Sequence, residues 1–290
     1  MNYTQKEEKI VLTEFDSFDI EETLESGSSF RFNRIAEKEY VVVAFSKILY
    51  VKQYDKNRIE FSPCTIDEFE NIWMRYFDLK RNYSEIKRVL SENDPVLKEA
   101  IEFAEGIRIV NQDPYECLIS FIISQNNRIP MIKKVIGNIS RAYGENLEGD
   151  YYAFPEAETL NKASIEDIAA CKTGFRAKYI KDALEKLTSG EIVIKDFEDM
   201  TTDEVREKLL TIYGVGQKVA DCVMLFSMER SEVFPIDVWV KRVMQHFYFD
   251  NEEVNIRKIQ DLSKEKWGEY AGFAQQYLFH YARMKQIGKK

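Results

Sequence analysis

The residues best suited to chemistry surround a short glycine-containing stretch at 213–216. Lys218 follows it closely, and Asp237 comes 19 residues after Lys218. A lysine in the first turn of a helix meets opposing amide dipoles, which lower its pKa and favour the neutral, nucleophilic amine. A carboxylate nearby can stabilise positive charge that develops on the carbon under attack. Taken singly, an exposed lysine and a helix-capping aspartate are the commoner roles.

The glycine-containing stretch predicts an anion site. Helical spacing breaks at Tyr213-Gly214-Val215-Gly216 and resumes afterwards, which predicts a helix–hairpin–helix over about 202–228. Amides at a helix N-terminus can bind a phosphate group without reading sequence. An ordinary corner between two helices remains an alternative interpretation. The predicted phosphate-binding residues are Gly214, Val215, Gly216 and Gln217.

Composition narrows the class of protein. The chain of 290 residues has a net charge of −9. If the whole surface carried this charge evenly, it would repel the phosphates of a nucleic acid. Charge distribution sets the local field, however, and residues 171–186 carry five cations against two acids. The four cysteines are widely spaced and there are only two histidines. This usage argues against a metal site, and we predict neither a metal nor a cofactor.

Nothing in the sequence predicts insertion into a membrane. No apolar run approaches the roughly 18 residues that a membrane-spanning helix needs. The first ten residues lack the basic-then-apolar pattern of a secretory signal. We therefore expect an intracellular protein.

The order of the elements predicts an α+β fold. Three short β-branched or aromatic runs, at 40–45, 47–54 and 58–63, predict an antiparallel meander. From about Asp94 onward nearly every segment has helical spacing. We predict a small N-terminal antiparallel β-sheet domain at 1–96 and a larger all-helical domain at 97–290 that contains the helix–hairpin–helix.

Several segments resemble a known family. GVGQKVADCV followed by VFPIDVWV is similar to the motif of the helix–hairpin–helix DNA glycosylases, which ends in Gly/Pro-Asp, and Lys218 resembles the lysine of their bifunctional members. The resemblance narrows to the 8-oxoguanine DNA glycosylases and covers about residues 14–279. Four further segments carry it in the same order: SGSSFRF (26–32), NQDPYECLISFIISQNN (111–127), GFRAKY (174–179) and GFAQQYLF (272–279).

The resemblance implies a function in base excision repair. Lys218 would attack C1′ of a nucleotide flipped out of double-stranded DNA and form a Schiff base, and β-elimination would then nick the strand. Asp237 would stabilise the charge that develops on the sugar. The family also implies a monomer that is associated with DNA inside the cell.

The resemblance further assigns residues to the damaged base. The carbonyl of Gly27 would accept the N7 hydrogen that 8-oxoguanine has and guanine lacks. Cys222 and Phe279 would sandwich the base, and Gln275 would contact its Watson–Crick edge. On helical spacing alone, a core aromatic is the commoner role for Phe279.

A second set of residues is assigned to the opposite strand. Asn126 would fill the gap in the stack, Arg176 would hold the orphaned cytosine, and Phe175 would wedge beside it where the family commonly has tyrosine. Two positions depart from the family pattern. Met131 replaces an arginine that reads the opposite cytosine in many relatives, and Trp239 replaces a common histidine.

Three alternatives stay open at this point. An alkylpurine glycosylase would share the fold, but that family generally lacks a lysine in the hairpin. A non-catalytic helix–hairpin–helix module would bind DNA without needing Lys218, Asp237 or the base-recognition residues. A soluble α+β domain of unrelated function would need none of these matches.

Overall fold

A computed structural model describes residues 1–287 and confirms the α+β class. The N-terminal part is a six-stranded antiparallel sheet in the order β1-β2-β6-β5-β4-β3. Its strands are β1 (Asn2–Lys6), β2 (Lys9–Thr13), β3 (Phe32–Ala36), β4 (Glu39–Ala44), β5 (Lys47–Asp55) and β6 (Arg58–Ser62). A separate short hairpin pairs β7 (Asn146–Glu148) with β8 (Tyr151–Tyr152).

The predicted meander is confirmed as β4, β5 and β6. Val42 stands opposite Leu49 in the first pair, and Val51 stands opposite Phe61 in the second. All four side chains are buried, because alternate residues of a strand point to the same face of the sheet. The strands β1, β2 and β3 were not predicted; β1 and β2 extend the sheet beyond β6, and β3 extends it beyond β4.

The rest of the chain is mostly helical. Its α-helices are α1 (Ile20–Glu25), α2 (Ile66–Glu68), α3 (Met74–Tyr76), α4 (Tyr83–Glu92), α5 (Pro95–Phe103), α6 (Pro114–Ser124), α7 (Ile129–Tyr143), α8 (Ala157–Asn161), α9 (Ile165–Ile168), α10 (Ala177–Thr188), α11 (Thr202–Leu210), α12 (Gln217–Ser227), α13 (Val238–Tyr248), α14 (Ile256–Trp267) and α15 (Ala271–Lys285). Shorter π and 3-10 turns lie at Phe69–Trp73, Ala169–Thr173, Gly174–Arg176, Ile194–Asp199 and Gly268–Tyr270. The prediction that 97–290 is all-helical is wrong at the β7–β8 hairpin, where two short strands pair across a tight turn.

Two hydrophobic clusters form the core. One lies under the sheet and includes residues from Ile10 to Leu79, together with Val110. The other joins the helices and already includes Tyr83 of α4. Packing thus changes from sheet core to helical core between residues 79 and 83, and Phe30 belongs to the helical cluster. The domain boundary at 96/97 stays a prediction.

Among residues 1–287, no helix is both long enough and apolar enough to cross a membrane.

Candidate active site

The predicted helix–hairpin–helix is formed by α11 and α12. Thr201 begins α11 with a capping box, in which its side chain and that of Glu204 each accept from the other's backbone N–H. The chain then turns at 211–216, and α12 begins at Gln217. Helix α12 packs on α6, so the hairpin stands against the helical core.

Gly214 is required by the shape of this hairpin. Its φ of +80° lies in the left-handed region that side chains disfavour. A Cβ atom there would lie only 2.4 Å from the ring of Tyr179. Asp182, on the same helix as Tyr179, accepts a hydrogen bond from the backbone N–H of Tyr213 at 2.8 Å. Helix α10 therefore packs against the hairpin and holds it by a hydrogen bond.

We expect Gly214→Ala to destabilise the protein by about 2 kcal/mol or more, because the new methyl group meets both backbone strain and the Tyr179 ring. Gly216→Ala is the matched control, since Gly216 has a φ of −100° and open space within 4 Å of its Cβ direction. That change should alter the free energy of unfolding by less than about 0.5 kcal/mol. Urea unfolding of both variants tests this, and equal midpoints would contradict it.

The start of α12 offers free amide donors. Gly216 is its N-cap residue and provides no side-chain hydrogen bond to the helix. Within residues 1–287, the backbone N–H groups of Gly216, Gln217 and Lys218 have no hydrogen-bond acceptor. These donors and the helix dipole suit a phosphate group. The assignment of Gly214, Val215, Gly216 and Gln217 to phosphate binding stays a prediction.

Lys218 lies partly buried in the first turn of α12. Its Nζ atom is 5.1 Å from the ring centroid of Phe121, a buried residue of α6. One turn further along α12 is Cys222, which is also buried. Burial raises the pKa of the Cys222 thiol to about 11, and the nearby Lys218 ammonium acts against that rise. Cys222 is therefore a neutral, apolar neighbour of the lysine.

Asp237 caps helix α13. Its Oδ1 atom accepts a hydrogen bond from the backbone N–H of Val240 at 2.8 Å. Burial raises the pKa of Asp237, while the Val240 N–H and the charge of Lys218 act against that rise. The fold thus brings Lys218 and Asp237 within electrostatic range of one another. Capping and charge stabilisation are compatible roles for one carboxylate.

Two of the residues predicted for the damaged base, Gly27 and Phe279, lie close together. Gly27 has a φ of +93°, and a Cβ atom there would lie 3.0 Å from Cε1 of Phe279. Gln275 precedes Phe279 by one helical turn on α15. Gln275 is only 5% exposed, yet its Oε1 atom has no hydrogen-bond partner. An unpaired buried acceptor is costly, and a donor on the edge of a bound base would satisfy it.

The residues predicted for the opposite strand lie on exposed loops and helix ends. Asn126 is exposed with a φ of +48°, Met131 is 43% exposed, and Phe175 is 54% exposed. Arg176 differs, being only 8% exposed. Its guanidinium lies 4.4 Å from the ring centroid of Phe175.

The donors of Arg176 are already used within the protein. Its Nε atom donates to the carbonyl of Gln125 at 2.8 Å, and its Nη2 atom donates to the carbonyl of Asn126 at 3.0 Å. Its Nη1 atom donates to the carbonyl of Thr173 at 3.2 Å. Arg176 therefore ties the Asn126 loop to the Phe175 turn. Its contact with an orphaned cytosine stays a prediction.

One residue near the base-recognition set was missed. Arg283 follows Phe279 by one turn of α15, and its guanidinium lies 5.5 Å from the Phe279 ring centroid. The i, i+4, i+8 spacing of Gln275, Phe279 and Arg283 was the available signal. The segment that resembles the family, GFAQQYLF (272–279), ends at Phe279, four residues before that arginine.

Comparison with known proteins finds two family matches along the chain. Residues 9–118 match the family described as 8-oxoguanine DNA glycosylase, N-terminal domain. Residues 119–269 match the HhH-GPD superfamily of base excision DNA repair proteins.

Individual relatives match over most of the chain. A Clostridium acetobutylicum 8-oxoguanine glycosylase/lyase, solved with double-stranded DNA containing cytosine opposite 8-oxoG, is 42% identical with a TM-score of 0.95 and covers 99% of both chains. MBOgg1, solved with a low-affinity DNA ligand, is 45% identical with a TM-score of 0.95, covering 98% of this chain and 99% of its own. A probable N-glycosylase/DNA lyase of Methanothermobacter thermautotrophicus is 31% identical over 71% of this chain and 72% of its own. The chain belongs to the HhH-GPD superfamily of base excision DNA repair proteins and carries the N-terminal domain of the 8-oxoguanine DNA glycosylases.

Proposed function

We propose that this DNA glycosylase, which has associated lyase activity, excises 8-oxoguanine from double-stranded DNA through a covalent intermediate on Lys218. The observation that carries the proposal is the position of Lys218, which lies beside Cys222 at the start of α12 and within electrostatic range of Asp237. Neither a phosphate-binding module nor a plain structural hairpin needs a lysine held in that position.

The chemistry follows from these two groups. Nζ of Lys218, once deprotonated, attacks C1′ of the flipped nucleotide while the N-glycosidic bond breaks. The departing base takes the electron pair of that bond and one Nζ proton. Positive charge develops on the sugar, and the carboxylate of Asp237 stabilises it. The C1′–O4′ bond then breaks, O4′ takes its electron pair and the second Nζ proton, and a Schiff base remains between Nζ and C1′. Loss of a C2′ proton breaks the C3′–O bond by β-elimination and cleaves the strand.

Discrimination of the damaged base would come from Gly27 and Gln275. The Gly27 carbonyl would accept from the N7 hydrogen of 8-oxoguanine, whereas the N7 lone pair of guanine would repel it. A buried hydrogen bond gained or lost in this way is worth roughly 1–3 kcal/mol. Phe279 and Cys222 would hold the two faces of the base.

Extrusion of the base requires compensation elsewhere in the complex. Unstacking costs a few kcal/mol, which Asn126 and the exposed ring of Phe175 would help to offset by filling the gap. The free amides at the start of α12 would hold a phosphate of the strand. We further propose that the protein acts as a monomer on DNA inside the cell.

The basic stretch at 171–186 contributes less free charge than its sequence predicts. Arg176 is used in backbone hydrogen bonds, Lys181 donates to the side chain of Asn161 at 3.0 Å, and Lys186 pairs with Glu191 at 2.5 Å. Only Lys172 and Lys178 of this stretch are exposed without such a partner within residues 1–287. We therefore expect the oriented amides of α12 to carry much of the phosphate binding.

A trapping experiment tests the proposal. The protein is incubated with a duplex containing one 8-oxoguanine, and borohydride is added to reduce any Schiff base. We expect a covalent protein–DNA adduct. Release of free base without an adduct would favour the monofunctional alkylpurine-type mechanism, and binding without either product would favour the non-catalytic module.

Gln275→Met is expected to separate stability from recognition. Removing the unpaired Oε1 atom should leave the free energy of unfolding unchanged or raise it by up to about 1 kcal/mol. Excision of 8-oxoguanine should fall by about 10- to 100-fold, because one edge of the base loses its partner. Thermal unfolding and single-turnover excision measure the two effects.

Gln276→Met is the matched control for that experiment. Gln276 is also buried, and its Nε2 atom also lacks a partner. It points about 100° away from Gln275 around α15. Its replacement should leave excision within about threefold of wild type. Equal losses of excision in the two variants would contradict a specific role for Gln275.

Met131 is expected to relax discrimination of the opposite base. Its exposed thioether has no hydrogen-bond donor for a cytosine edge. Excision rates from duplexes with C, A, G or T opposite 8-oxoguanine should therefore lie within about tenfold of one another, and Met131→Arg should raise the preference for C. A strong wild-type preference for C would contradict this hypothesis. Arg128→Ala, which removes the exposed side chain directly before α7, would then show whether that arginine reads the cytosine.

A further inference from the structure

Arg283 shares a helix face with the two base-recognition residues of α15. Gln275, Phe279 and Arg283 are spaced by four residues each, so their side chains lie along one side of the helix. The first two are the predicted contacts to the Watson–Crick edge and to one face of the base. Arg283 follows them on the same face of α15, one turn after Phe279.

The guanidinium of Arg283 touches both walls of the proposed lesion pocket. It donates a hydrogen bond to the backbone carbonyl of Glu25, two residues before Gly27. Its Nη1 atom lies 2.8 Å from the position that a Cβ atom on Gly27 would occupy. The same group lies 5.5 Å from the ring centroid of Phe279. One side chain thus connects the Gly27 turn with the Phe279 ring.

The surroundings of Arg283 keep this group in place. Burial lowers the pKa of its guanidinium, while the carboxylates of Glu25 and Asp237 act against that change. An arginine side chain remains charged in such a setting. Its planar fork can donate to a carbonyl and face an aromatic ring at once, which a lysine ammonium cannot do equally well.

We infer that Arg283 is a positioning residue for recognition of the damaged base. By holding the Glu25 carbonyl and the Phe279 ring together, it sets the distance between the acceptor on Gly27 and the stacking face. This inference rests on the proposed function, which assigns Gly27 and Phe279 to 8-oxoguanine. It predicts that loss of the Arg283 side chain slows excision of 8-oxoguanine, which requires a bound base, and has little effect on cleavage of an abasic site.

Two substrates test that distinction in the full-length protein. A duplex with 8-oxoguanine requires the base pocket, whereas a duplex with a preformed abasic site requires only Lys218 and the strand-cleavage steps. For Arg283→Ala we expect kcat/KM on 8-oxoguanine to fall by about 30-fold, and abasic-site cleavage to stay within about twofold of wild type. Arg283→Lys should fall between Arg283→Ala and wild type on 8-oxoguanine, since it keeps the charge and one donor but loses the planar contact.

Lys285→Ala is the matched control for charge on the same helix. Lys285 is exposed, and its Nζ atom lies 4.9 Å from the ring centroid of Phe103, away from the pocket. Its removal changes the net charge by the same amount as Arg283→Ala. Both activities should remain within about twofold of wild type.

Each result has a defined meaning. A selective loss of 8-oxoguanine excision in Arg283→Ala, with partial rescue by lysine, supports the inference. Unchanged excision overturns it, and so does a parallel loss of both activities with a lowered melting temperature, which would make Arg283 a stabilising residue only. Wild-type protein that cleaves abasic DNA but leaves 8-oxoguanine intact would instead contradict the proposed function, and the inference would fall with it.

Discussion

Lys218→Gln is expected to abolish the borohydride-trapped adduct and to lower excision of 8-oxoguanine by at least about a thousandfold. Glutamine has no amine that can attack C1′ or form a Schiff base. The glutamine side chain is one bond shorter than lysine and uncharged, so it can pack against Phe121 and Cys222 without a clash. Gel analysis of trapped complexes and single-turnover kinetics measure the two losses.

Two further variants distinguish the loss of the nucleophilic amine from the loss of its positive charge. Lys218→Arg keeps the positive charge near Asp237 but cannot form the intermediate, so it too should give no adduct. Lys208→Gln removes the same charge from the exposed surface of α11 and should leave trapping unchanged. Trapping that persists in Lys218→Gln would place the nucleophile elsewhere and end the proposed mechanism.

Asp237→Asn is expected to keep damaged-DNA binding while turnover falls by about 10²- to 10³-fold. Asparagine caps a helix about as well as aspartate, so the hydrogen bond to the Val240 N–H can be retained. What the variant loses is the negative charge that faces the developing positive charge on the sugar. Binding to a duplex with 8-oxoguanine and single-turnover excision should therefore separate.

The contrary outcome for Asp237 is equally clear. If Asp237→Asn lost DNA binding together with its melting temperature, the residue would act as a helix cap and little more. Asp113 provides a matched control, because it also caps a helix, accepting from the backbone N–H of Glu116 at 2.9 Å. Asp113→Asn should change neither binding nor turnover by more than about threefold.

Local features of this protein were readable from its sequence. The hairpin between α11 and α12 follows from helical spacing that is interrupted at Gly214 and Gly216. The cap at Asp237 follows from a carboxylate at the start of a helical segment. The meander from β4 to β6 follows from alternating apolar residues and a short turn. In each case the interactions join residues close together in the chain, so residue type and spacing are sufficient.

The N-terminal strands were decided by tertiary structure. Residues 2–13 carry two lysines and two glutamates, and the apolar run of β2 beside them is only three residues long, too short to predict a strand by itself. Its alternate residues Ile10 and Leu12 are fully buried because β2 pairs with β6, about fifty residues away. A pairing over that separation depends on the whole sheet, and no local pattern specifies it.

The site shows the same division. The sequence alone placed Lys218 and Asp237 on neighbouring helices and, by resemblance, named the residues for the damaged base. Only the folded chain brings Gly27 within contact of Phe279. In the folded chain Arg176 donates its hydrogen bonds to backbone carbonyls, and Arg283 donates to the carbonyl of Glu25. The physical reason is that burial and hydrogen-bond partners come from segments remote in sequence, so the environment of a side chain is a property of the packed structure.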